Sequence, residues 1–176
     1  MTEETQAESG EDNQEDSGQP LENEEQMRAY VGEEKADYYL KHWRLQSTKM
    51  NWAAFFITGF WMIYRKMYAY SAIFFAIIMT ESFLSEIIAV SVFGLETTPS
   101  AYDSAMNIAV AVTMGMMGNT MYRRHVEKQI AKEGTDLDRL KMLGGTNPLA
   151  AWVSLGIFIL LIAGLVTLGM QLEESY

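Results

Sequence analysis

Apolar and polar positions fall in blocks along this chain, with little short-period alternation. Residues 1–26 are polar almost throughout, and Met27–Met50 is mixed. A twelve-residue apolar run, Trp52–Ile63, is interrupted only by Thr58 and Gly59 and stops at the basic pair Arg65-Lys66. Three longer apolar stretches follow at Met67–Phe93, Asp103–Met121 and Leu149–Met170. Blocks of that length predict membrane helices, because about 20 apolar residues at 1.5 Å each match a hydrocarbon core of about 30 Å. Trp52–Ile63 covers only about 18 Å and is too short to cross. It is expected to be re-entrant or to lie in the interface, capped at its start by Asn51. The expected fold class is therefore an all-α membrane protein. It has three transmembrane helices, one short re-entrant or interfacial helix, and a disordered acidic N-terminal tail.

The domain boundaries follow from the same blocks. Residues 1–26 form the tail, 27–50 an amphipathic cytoplasmic segment, and 51–66 the short helix with its basic anchor. Residues 67–170 form the membrane domain, with spans at 67–93, 103–121 and 149–170, and 171–176 an external tail. Within 27–50, Val31-Gly32 reads as a turn and Glu33–Gln46 as a helix. Its Tyr38, Tyr39 and Trp43 interleave with Lys35, Lys41 and Arg44, as at a headgroup boundary. Gly94–Tyr102 reads as a turn, and Arg123–Thr146 as a polar loop that begins helical and ends at Gly144-Gly145. Pro148 suits the first turn of the last helix.

Charge turns this list into a topology. The net charge of −10 belongs to the tail, since residues 1–26 hold ten acidic and no basic side chains and the remainder is balanced at 13 of each. The tail has too few apolar groups to offset the entropy of ordering. With three spans, all 13 Lys/Arg lie on one side of the membrane: five before Asn51, two at Arg65-Lys66 and six in Arg123–Lys141. A fourth crossing by Trp52–Ile63 would split them eight to five. The positive-inside rule selects the three-span arrangement, with the N-terminus in the cytoplasm and the C-terminus outside. A bacterial cytoplasmic (inner) membrane is the expected location. The N-terminus is acidic and lacks the apolar core of a signal peptide, so insertion is expected to be driven by internal helices. Cysteine is absent, which removes disulfides, thiolate metal sites and cysteine nucleophiles.

Several of these residues also form motifs. Tyr30-Val31-Gly32 with Tyr38-Tyr39, NWAAFF at Asn51–Phe56 and W-x-x-YRKMY at Trp61–Tyr68 resemble the bacterial membrane proteins grouped as domain of unknown function 2628. G-x-x-GN-x-x-Y at Gly115–Tyr122, followed by His125 and Ile130, and LGGTN at Leu143–Asn147 are similar to that family as well. The resemblance covers roughly Tyr30 to Ile130 and implies location and architecture, with no catalytic residue. Some relatives carry a zinc ribbon ahead of this region, a module this cysteine-free chain lacks.

Candidate chemistry is sparse. Glu81 and Glu86 lie inside the first span, where insertion scales charge an ionised acid about 3 kcal/mol, so each needs a partner or a proton. Asn107 and Asn119 on the second span are the candidate partners for an intramembrane polar site. The competing expectation is structural: Glu81 bonding across helices or to Ser85, and Glu86 reaching the outer surface. Arg65, Lys66, Arg123 and Arg124 are candidate lipid-headgroup contacts, although plain topology anchoring accounts for them too. Ala105, Ala109, Ala111, Gly115 and Gly118 allow close helix approach. His42 and His125 have no ligand-spaced partners. No catalytic, cofactor-binding or metal-ligating set is expected, and nothing supports nucleic-acid binding. The expected partners are the lipid bilayer and a protein partner or a second copy of the chain. The leading functional expectation is a non-enzymatic membrane scaffold presenting a basic cytoplasmic face. The alternative is a small oligomeric transporter or channel built on Glu81.

Overall fold

The computed structural model describes residues 21–45 and 49–174. Among them all regular structure is helical: α1 (Glu24–Val31), α2 (Glu33–Arg44), α3 (Trp52–Tyr64), α4 (Tyr68–Ser91), α5 (Ser100–Glu133), α6 (Leu137–Leu143) and α7 (Pro148–Glu174). Most of the expected tail lies outside the described residues. Its last part does not follow the expectation: Leu21 packs against the core and α1 begins at Glu24. The reason is amphipathic: α1 buries Met27, Ala29, Tyr30 and Val31, enough apolar surface to order it. Gly32, at φ +90°, makes the turn expected at Val31-Gly32 and separates α1 from α2.

Two helices are long and apolar enough to cross a membrane, by length and composition: α4, and the stretch within Leu137–Gln171 that α7 carries. The expected second span, 103–121, does not reach that standard. It forms the first part of the 34-residue α5, whose Asp103, Asn107, Thr113 and Asn119 dilute the apolar content among small Ala and Gly residues. The polar segment after Met121 begins helical, as expected, but as a continuation of α5, which runs unbroken to Glu133. Tyr122, His125, Val126 and Ile130 recur at helical spacing and are buried, so packing carries the helix past the apolar block.

The short apolar helix is the hub. α3 packs against α4, α5 and α7, whereas the last three make no close backbone approach to one another. Asn51 starts α3 by accepting from the Ala54 N–H at 3.0 Å, as expected of a cap. Thr58 stands at φ 32°, ψ −110°, and splits α3 into two short turns with a sharp change of direction. Glycines make the close approaches. A Cβ on Gly118 would meet Ala54 Cβ at 2.8 Å, and one on Gly59 would meet the Phe74 and Phe75 rings at 2.7–2.9 Å.

The buried core lies at one end of the molecule. It gathers Tyr30, Val31, Tyr39, Leu40 and Trp43 with Trp61, Met62, Met67, Tyr122, Val126 and Leu140. All of these sit on α1, α2, the last turns of α3, the second half of α5, α6 and the start of α4. We call this end the cap. α6 and the Gly144-Gly145 segment close it: the Gly145 N–H donates to the Tyr30 carbonyl at 2.6 Å. Asn147 then starts α7 by accepting from the Ala150 N–H, while its own N–H donates to the Tyr64 carbonyl at 2.8 Å.

A Cβ on Gly144 would lie 1.9 Å from the Tyr30 carbonyl oxygen, a backbone atom that cannot swing aside. Gly144→Ala should therefore lower stability by about 1–3 kcal/mol, read as a lower unfolding temperature in detergent. Wild-type stability in that variant would show that α1 does not dock on this glycine.

Candidate functional site

Three polar constellations stand out on this scaffold. The first surrounds Arg65, which follows α3. It is 4% exposed and carries three aromatic rings around its guanidinium, with Tyr39, Tyr122 and Tyr64 centroids at 4.6, 5.2 and 5.5 Å. Its Nη2 donates to the Tyr39 hydroxyl at 3.0 Å. Each ring face attracts the cation by about 0.5–2 kcal/mol, more when water is excluded. Burial pushes the Tyr122 hydroxyl pKa well above its ordinary value, and Arg65 beside it only partly offsets the shift. Burial likewise raises Tyr39, again against the pull of Arg65. Both tyrosines therefore stay neutral, so the arrangement is a cation in a neutral aromatic box.

The second constellation is a clasp between the start of α3 and the middle of α5. The Asn51 N–H donates to the Gly115 carbonyl at 2.7 Å, and Asn51 Nδ2 donates to Asn119 Oδ1 at 2.9 Å. Asn119 Nδ2 donates to the Lys49 carbonyl, and Trp43 Nε1 to the Asn119 carbonyl at 3.2 Å. Both asparagines are buried, so these bonds satisfy groups that would otherwise be costly.

The third lies at the far end of the α4–α5 hairpin. Glu81, Ser82, Ser85, Glu86, Asp103 and Asn107 help to line a recess of about 580 Å³. Glu81 accepts from the Tyr102 hydroxyl at 2.7 Å, and Glu86 accepts from the Thr98 N–H and hydroxyl at 3.0 and 2.7 Å. Of the four residues read as one intramembrane polar site, the structure thus unites Glu81, Glu86 and Asn107. It places Asn119 elsewhere, in the clasp with Asn51. Glu81 is joined to Tyr102 across the hairpin, the cross-helix bond of the structural expectation, and Glu86 turns to the connecting segment.

The four basic residues expected at headgroups also separate. Arg65 is enclosed by tyrosines and is not presented to a surface. Lys66 donates to the Met142 carbonyl at 3.2 Å. Arg123 pairs with Glu127 at 2.7 Å and donates to the Trp43 carbonyl. Arg124 alone of the four is exposed, one turn before exposed Lys128. Sequence reasoning missed the tyrosine box because Tyr39, Tyr64 and Tyr122 come from three distant segments. The signal available was their membership of the motifs at Tyr38-Tyr39, Trp61–Tyr68 and Gly115–Tyr122. Among the described residues no group of three or more His, Asp or Glu is arranged to hold a metal ion.

His125 links the cap internally. It is 6% exposed, lies 3.0 Å from the Tyr30 hydroxyl through Nε2, and meets the Tyr70 ring edge-on at 5.6 Å. Burial, helped by nearby Lys128, holds its pKa below the ordinary 6.5. The folded state therefore binds fewer protons than the unfolded chain in this range. The stability tied to neutral His125 is complete above pH 6.5 and declines as pH falls through 6.5 toward the depressed folded value. Unfolding temperature should drop on acidification from pH 7.5 to 5.5, with a smaller drop in His125→Gln. Equal slopes in both proteins would remove His125 from the account.

Comparison with known proteins adds the family. The chain belongs to the family described as "Protein of unknown function (DUF2628)", whose model matches residues 13–128, two thirds of its length. No curated protein and no solved structure matches it.

Proposed function

We propose that this member of the DUF2628 family is a non-enzymatic integral protein of a bacterial inner membrane, in which the packed cap meets a protein partner or lipid and the long helices serve as anchors. The observation that carries the reading is the uneven packing. Most buried side chains belong to the cap, while among the described residues α7 buries none and α4 only Ser71 and Ala89. Helices arranged around a transport path would pack along their lengths, whereas α4, α5 and α7 approach closely only against α3 and otherwise meet through single side chains such as Tyr70 with His125, Phe75 with Phe158 and Tyr102 with Glu81.

Three spans remain the topology we favour. α4 leads away from the level of Arg65, and α5 returns to Tyr122 beside that same residue. Bonds from Glu81 to Tyr102 and from Glu86 to Thr98 tie the far ends together. If α4 crosses, the first half of α5 must cross back. The outer surface of α5 agrees, changing from Ile108, Val112, Met116 and Met117 to Arg124 and Lys128. The cap and the N-terminus then face the cytoplasm, and the C-terminus lies outside. Lipid contact through Lys66, Arg123 and Arg124 belongs to this proposal, with Arg124 the best exposed; nucleic acid has no part in it.

A second reading has one observation in its favour: Glu81, Glu86 and Asn107 share one recess. In a small oligomeric transporter or channel that recess would hold the permeating cation or proton. Glu81→Gln in proteoliposomes should then abolish a measurable flux. No flux from wild type, or equal flux from both, would end this reading.

The main proposal is tested with single cysteines in the cysteine-free chain. Thr97→Cys should react with an impermeant maleimide on intact cells, whereas Lys41→Cys and Lys141→Cys should react only after permeabilisation. Thiol cross-linking from the last two positions should then capture one defined partner or lipid. External labelling at Lys141 would reverse the topology, and cross-links found only at Thr97 would remove the cap as the working surface.

A further inference from the structure

Three buried side-chain polar atoms make no well-formed hydrogen bond among the described residues, and all three lie in one place, Arg65 Nε and Nη1 close enough to the Tyr122 hydroxyl to interact with it only weakly. Buried polar atoms are nearly always satisfied, so a converging group of this kind marks a point where the protein expects something more. Both residues are almost wholly enclosed, Arg65 at 4% and Tyr122 at 0% exposure. No ion pair to Arg65 occurs among the described residues, although a buried cation without a counter-charge is strongly disfavoured. The ring faces of Tyr39, Tyr64 and Tyr122 provide partial negative charge only.

We propose that Arg65 and Tyr122 form a binding site for a small inorganic anion, chloride being the reference ligand. The donor set selects the charge. Nε and Nη1 can only donate, and the Tyr122 hydroxyl is free to donate, so the ligand must be an acceptor. A water molecule would fill one bond and leave the charge unbalanced. A monatomic anion accepts from several directions without a fixed geometry and supplies the missing charge. Size follows from the packing. Tyr39 and Tyr122 close on each other at 5.0 Å beside the guanidinium, and a monatomic anion is the smallest ligand that supplies the charge. The site joins α2, α3 and α5 at one point, so anion binding would tighten the cap itself. This inference is independent of the cap's partner and of the direction of insertion.

The test uses the full chain in detergent, exchanged into sodium gluconate and titrated with sodium chloride or bromide at constant ionic strength. The unfolding temperature should rise with the logarithm of chloride concentration above Kd, by about 4 °C once chloride reaches ten times its Kd. Arg65→Met should abolish the response, since it removes both donors and charge. Tyr122→Phe keeps the ring and should weaken the response several-fold in Kd, and it carries the test if Arg65→Met does not fold. A response as large in gluconate alone, one retained in Arg65→Met, or one unchanged in Tyr122→Phe would overturn the site. Stabilisation by phosphate or phosphatidylglycerol with none from halide would also overturn it, in favour of a larger ligand.

Discussion

The structure depends on the seating of one short helix against another through two asparagines and two glycines. Asn51 spends its backbone N–H on the Gly115 carbonyl and its side chain on Ala54 and Asn119. Gly115 and Gly118 leave the space in which Met50 and Ala54 sit. Remove that fit and α3 loses its seat between α4, α5 and α7, whose backbones make no close approach to one another. Interhelical bonds of this kind are worth about 0.6–2 kcal/mol each in a membrane. Their larger effect is to fix register, because a shift of α3 by one residue would present Met50 or Trp52 where the Asn51 amide bonds. Gly115 lies seven residues before Tyr122, about 10 Å along the helix axis. From Asn51, held at that level, the chain turns at Thr58 and returns to Arg65 beside Tyr122. That path is a shallow wedge.

The wedge also explains where the charge ends up. A chain returning from an apolar depth brings Arg65 directly into a layer already filled by Tyr39, Tyr64, Tyr122 and Trp61. Water is excluded there, so ring faces attract the guanidinium more strongly than they would at a surface. Lysine could not substitute on these terms: it has no flat delocalised group to lie over a ring. Tyrosine suits the layer for a related reason, having an apolar body and a polar tip that finds a partner, as Tyr30 does with His125. The YRKMY motif thus divides its labour, with Arg65 turned inward and Lys66 closing the Met142 carbonyl on the rim.

Much of this was legible in the sequence, and the residues that were not share a cause. α3 with its Asn51 cap, the Gly32 turn, α4 and the Pro148 start of α7 all follow from local periodicity, length and capping chemistry. A helical start after Arg123 is legible too; its unbroken joining to the rest of α5 is not, since that depends on Tyr122, His125, Val126 and Ile130 meeting α1, α2 and α6, contacts set by tertiary packing. The same limit hid the roles of Arg65 and Asn119. Arg65 followed by lysine after an apolar run reads as an anchor at a surface, and only the return of α3 beneath α2 turns it inward. Asn119 reads as a partner for Glu81 if the spans are aligned by sequence alone. Glu81 instead meets Tyr102 near the start of α5, whereas Asn119 meets Asn51 near the middle of that helix. Glu81, Glu86 and Asn107 line one recess because the turn between α4 and α5 brings the start of α5 beside them.

That hairpin bears on how α5 should be understood. Counted by apolar content, its first half falls short of a membrane helix, and counted by connectivity it has little freedom. Eight residues separate it from α4, so the chain turns directly from one helix into the other. Its deficit comes from Asp103, Asn107 and the glycines. Asp103 and Asn107 line the recess with Glu81 and Glu86, and Gly115 and Gly118 receive α3. The two glycines and Asn119 thus serve contacts with α3 that a uniformly apolar helix of large side chains could not make.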